Sequence, residues 1–117
     1  MRILHVTREN EPDRLYGLGR SLMPVIQALE LRGHSVRYLY QEDLGVAARN
    51  WQQKIHRRLS PLVAWIWGTA GVVLLHVWLE RLNMGRLAAR VAARDQYDII
   101  HLHDPWLACG YLFGRLW

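Results

Sequence analysis

A chain of 117 residues has room for one domain, burying roughly 65% of the surface its unfolded form exposes. Hydrophobic residues at 51% against 21% charged exclude a disordered chain, and the lone Cys109 excludes an internal disulfide framework or a zinc site built on paired cysteines. The net charge of +5 is local: residues 1–48 carry six arginines against six acids, residues 49–94 eight basic groups against Glu80 alone, and residues 95–117 one arginine against three aspartates. The middle segment is therefore where an anionic partner is met.

MRILHVTREN has too short an apolar run for a signal peptide and reaches Arg8 and Glu9 at once, which implies a cytoplasmic protein. Cys109 suits a reducing compartment and is expected as a small buried residue. RILHV, residues 2–6, reads as a first strand, and the polar stretch that follows as a loop. Leu22, Ile26 and Leu29 then recur at helical spacing until Arg32-Gly33, a helix with a C-terminal glycine whose regular part begins near Met23 because of Pro24. SVRYLY, residues 35–40, is a second strand, and strand, helix, strand in this length predicts adjacent parallel strands.

Residues 41–50 read as a connection, and 51–59 as a basic amphipathic helix with Trp51, Ile55 and Leu59 on one face and Lys54, Arg57 and Arg58 among its polar residues. Residues 60–79 hold no charge and three tryptophans. That run is open to three readings: a buried or hairpin helix pair, a surface that docks on a membrane, or a single span. A span would part the first two strands from the last, which one sheet forbids. RLNMGRLAARVAARDQYD, residues 81–98, continues as helix with Arg86, Arg90 and Arg94 on a solvated face; DIIHLH is a third strand, and Pro105 opens a last helix.

Parallel strands end along one edge, where open α/β folds bind ligands. Two features fall there: the YGLGR loop and His103-Asp104. The loop lacks the third glycine of a dinucleotide fingerprint, yet Gly17 and Gly19 opening a helix permit close approach of a phosphate, with Arg20 adding a full charge. His101 and His103 are two apart and share one side of an extended strand, a pattern that can ligate zinc, but further ligands are not evident and no metal is expected. His5 and His101 are read as tucked in or beside the sheet; His103, at the strand end, could donate to a sugar hydroxyl or to a developing charge.

Residues 2–40 together with YDIIHLHDPWLACG, residues 97–110, resemble the N-terminal domain of GT-B glycosyltransferases of family 4. The matching features are an opening strand leading to a glycine loop, a helix end in Arg-Gly-His, and the later His-x-His-Asp. The resemblance implies an α/β fold, a Rossmann-like three-layer α/β/α parallel sheet forming the N-terminal half-domain of a GT-B fold. It covers 41–96 poorly. By the same likeness the chain is part of a retaining glycosyltransferase of hexosyltransferase type, moving a sugar from a nucleotide donor to a sugar or lipid-linked acceptor. His103 would contact the transferred sugar, Asp104 would support it, and Gly17, Gly19 and Arg20 would lie at the donor diphosphate.

No cofactor and no nucleic acid is implied. The family's nucleotide-binding elements lie in a C-terminal domain, expected in the same or a second chain, without which residues 1–117 would be inactive. Trp51, Lys54, Arg57 and Arg58 are the expected contact with an anionic membrane, on its inner face. Two alternatives stand beside this reading: a noncatalytic Rossmann-like binding module, and a metal-dependent hydrolase using His-x-His-Asp.

Overall fold

A computed structural model of the chain describes residues 1–6, 18–40 and 43–116, with 18–22 as backbone only. Its elements in order are β1 (Arg2–Val6), α1 (Leu18–Leu31), β2 (Ser35–Leu39), α2 (Val46–Asp95), β3 (Ile99–Leu102) and α3 (Pro105–Leu116). The strands form one parallel sheet of order β2-β1-β3, so the β-branched run at the N-terminus becomes the central strand. Leu4 and Val6 on β1 are fully buried and meet Leu39, Met84, Ala88, Val91 and Leu107 in the main core.

Local signals place the ends of these elements. α1 closes on Gly33, whose φ of 87° is left-handed, and His34 N–H donates to Leu29 O at 3.1 Å to satisfy a terminal carbonyl. Pro24 lies in the second turn of α1 and does not delay its start to Met23; the helix runs through it without the hydrogen bond its missing N–H would have made. At the start of α3, Asp104 Oδ1 accepts from Trp106 N at 2.8 Å, and Pro105 fills the first helical position.

The three-layer Rossmann-like sheet expected from the resemblance, the half-domain of a GT-B fold, is not what forms. Among the described residues the strands number three and run only four or five residues, while α2 alone has 50 residues and packs chiefly against α3. Residues 46–95 are rich in Ala, Leu and Arg and carry no strand-like alternation. They therefore add helix where that fold would need further strand-helix units, and they absorb half of the expected connection 41–50 as well.

α2 is not straight. A continuous helix of its length would reach about 75 Å, yet the longest dimension of the molecule is 53 Å. Gly68, at φ 71° and ψ −163°, breaks it in a region open essentially only to glycine. The arms, 46–67 and 69–95, fold back on each other: the His56 and His76 rings meet edge to face at 5.6 Å, and buried Asn83 donates to Ala48 O at 2.9 Å and Gln52 Oε1 at 3.1 Å. Glycine is required again at Gly71, where a Cβ would stand 2.7 Å from Trp67 Cβ. Of the three readings of 60–79, the chain adopts the hairpin. It does not bury that hairpin, for only 11% of the most apolar window lies inside the molecule.

The second arm and α3 approach closely along small residues. A Cβ on Gly110 would come 2.5 Å from Leu82 O, and one on Gly114 2.9 Å from Ala89 Cβ. Gly85 faces the Leu107–Tyr111 backbone in the same seam.

Candidate functional site

β1 and β3 pair with His5 opposite His101 and Val6 opposite Leu102. His103 N–H donates to Val6 O at 3.3 Å, one step past the strand end. This register brings a third imidazole to the two at the end of β3. The His101 and His103 rings stack at 4.0 Å, and His5 lies 5.2 Å from the first and 5.3 Å from the second. His5 is buried, His103 half-buried and His101 exposed, so the cluster opens toward solvent through His101.

His5 Nδ1 and His103 Nε2 are 3.0 Å apart, close enough for one ring to donate to the other only while at least one of them is neutral. Burial, reinforced by the neighbouring His101 and His5, lowers the His103 pKa to about 4. Burial and then His101 push His5 down as well. At neutral pH the pair is uncharged, offering lone pairs and N–H groups rather than a positive charge. His5 Nε2 has no hydrogen-bond partner among the described residues. The ligand nitrogens of His5, His101 and His103 all lie within 4.8 Å of one another. Nitrogens on one tetrahedral zinc are about 3.3 Å apart, so modest ring rotation would let the three hold such an ion.

Asp104 is committed to structure: besides capping α3 it places Oδ2 2.7 Å from Arg81 Nε, tying the sheet edge to the second arm. Gly17 lies outside the described residues. Gly19 and Arg20 form the first turn of α1, whose far end sits by the start of β1, where His34 Nδ1 is 3.0 Å from the Met1 amine. That helix is about 21 Å long, so its N-terminal turn points toward the strand-end edge.

Lys54, Arg57 and Arg58 are exposed on the first arm. Trp51 is not free to meet a membrane with them, since the Arg86 guanidinium covers its ring at 5.0 Å, so Arg86 leaves the expected solvated stripe. Cys109 is exposed rather than buried.

Two grooves flank the hairpin. One, about 900 Å³, runs between the arms with a mixed lining, Arg49, Gln52, His56 and His76 beside Leu44, Pro61 and Val72. The other, about 590 Å³, is apolar: Val63, Trp67, Leu74 and Trp78 carry it from the tip to Arg81 and Trp106. Its inner end is therefore next to Asp104, the neighbour of His103 in the chain.

No family model, curated protein or solved structure matches this chain. The glycosyltransferase likeness rests on the quoted residues alone.

His5 is the site residue that sequence reasoning missed. Its place in a strand was legible, but its partner depends on the register of β1 against β3, residues nearly a full chain length apart. The visible signal was a histidine near the end of each of two apolar strands.

Proposed function

We propose that this chain is the acceptor-side part of a retaining sugar transferase that works on a lipid-borne acceptor at the cytoplasmic face of a membrane. The observation that carries the reading is the apolar groove from Trp67 and Leu74 to Trp106, which ends beside the His103-Asp104 edge. A lipid chain lying in it would bring its polar head to the neutral imidazoles. His103 would then hydrogen-bond a hydroxyl of the transferred sugar without adding charge.

In the transfer, the bond from the anomeric carbon to the donor diphosphate breaks, a bond to the acceptor oxygen forms on the same face, and the acceptor proton passes to the departing diphosphate oxygen. The diphosphate would be met by Gly17, Gly19 and Arg20 at the start of α1, with the nucleotide held by a further segment or a second chain. The test uses the enzyme complete with its donor-side portion, a nucleotide sugar and a polyprenyl-phosphate-linked acceptor. His103→Ala should lower turnover on the order of tenfold or more with an unchanged unfolding midpoint. Gly19→Val should raise the donor KM. Undiminished turnover in both variants refutes the reading.

One observation favours a second reading. Three converging imidazoles fit a divalent metal with an open position, which would make a hydrolase of the same edge. Elemental analysis of protein purified without chelators separates the two: one zinc per chain, lost in His5→Ala, supports the hydrolase.

A further inference from the structure

The hairpin formed by α2 exposes what a protein normally buries. Trp65 is 84% exposed, Trp67 67%, Leu74 68%, Val73 58% and Leu62 54%, and all lie within ten residues of the turn at Gly68. This is a continuous apolar cap rather than scattered surface residues. No acid occurs between Asp43 and Glu80, whereas Lys54, Arg57 and Arg58 stand exposed on the first arm.

Dimensions decide what the cap fits. Its charge-free part has eight residues on the first arm, 60–67, and eleven on the second, 69–79. These rise about 12 Å and about 17 Å, against roughly 15 Å for half of a bilayer's hydrocarbon core. Arg58, Arg57 and Lys54 lie ten, eleven and fourteen residues from Gly68, or about 15–21 Å from the turn. Basic groups at that height meet the headgroups when the turn sits within the near leaflet. As one straight helix, α2 would be long and apolar enough to cross a membrane; folded at Gly68 it returns to the side from which it enters. Backbone groups at the turn are the remaining cost, and they weigh against the turn passing beyond the near leaflet.

We propose that residues 61–78 form a re-entrant hairpin that inserts into one leaflet of an anionic membrane and leaves β1, β2, β3 and α3 on a single side. The proposal supplies the membrane that the sugar-transfer reading needs, but it stands on the hairpin's exposure, length and charge, and its test uses no sugar substrate.

The test labels the whole chain, carrying Cys109→Ala and Thr69→Cys, with an environment-sensitive fluorophore beside the turn. Phosphatidylcholine vesicles with about 30% phosphatidylglycerol, which gives the surface a negative potential, should blue-shift its emission, and nitroxide lipids confined to the outer leaflet should quench it. Lys54, Arg57 and Arg58 changed together to Glu should weaken partitioning at least about tenfold, as should Trp65→Glu with Leu74→Glu. All five side chains are exposed, so folding is preserved and circular dichroism checks it. Emission indifferent to vesicles overturns the proposal. So does a blue shift that grows with protein concentration without lipid, which would assign the cap to a second copy of the chain, and so does quenching only from the inner leaflet, which would mean a crossing.

Discussion

His5 Nδ1 lies 3.0 Å from His103 Nε2, a contact between the central strand and the end of an edge strand that two protonated imidazoles could not keep. Both rings have depressed pKa values for the same first reason, burial. The polar edge of the sheet is thus held together by neutral histidines, and its integrity follows pH.

The direction of that dependence is set by linkage. A group whose folded pKa is lowered binds fewer protons folded than unfolded, so the folded state loses stability as pH falls. For His103 the loss begins near the ordinary value of 6.5 and is complete below about 4. Urea midpoints measured at pH 7.5, 6.0 and 4.5 should decrease in that order, and His103→Gln should flatten the lower part of the series. A midpoint rising toward pH 4.5 would contradict the arrangement of the cluster.

His5 and His101 are opposite one another yet differ in burial, and their substitution should differ accordingly. His5→Ala opens space in a packed strand and should cost about 2 kcal/mol, whereas exposed His101→Ala should stay within about 0.5 kcal/mol. Thermal and urea unfolding of the two variants provide the comparison. Equal losses would mean that His101 is packed as the sequence reading had it.

Gly68 holds the turn of α2 in a backbone conformation that a side chain resists. Gly68→Val should cost about 1–3 kcal/mol or drive the arms apart into a longer helix. Spin labels replacing His56 and His76, whose rings are 5.6 Å apart, would report the opening directly. An unchanged label distance and an unchanged melting point would show the turn to be tolerant.

The seam between the second arm and α3 leaves no room for side chains at Gly110. Gly110→Leu would have to push the helix backbones apart and should destabilise by about 3 kcal/mol or more, enough to abolish cooperative unfolding in a domain this small. Gly33→Ala meets no neighbour and is strained only by its positive φ, so it should cost about 1 kcal/mol. Near-ultraviolet circular dichroism and a thermal melt distinguish the two.

The residue pattern by itself determined the strand at 2–6, the helix ending at Gly33, the strand beginning at Ser35, the third strand before His103 and the helix opened by Pro105. Each depends on periodicity, a cap or a left-handed glycine, signals contained within a few residues. The localised positive charge and the apolar run were legible for the same reason, being properties of composition. Only the tertiary structure decided that Gly68 turns that run into an exposed hairpin, that Trp51 packs under Arg86, that Asp104 pairs with Arg81 and that His5 completes the histidine cluster. Among the described residues it also replaced the expected layered sheet by three short strands under a helical hairpin, because 46–95 is helical throughout except at the Gly68 break. These outcomes depend on strand register and on which helix faces can approach to backbone contact, and groups separated by 20 to 98 residues carry no local mark of meeting.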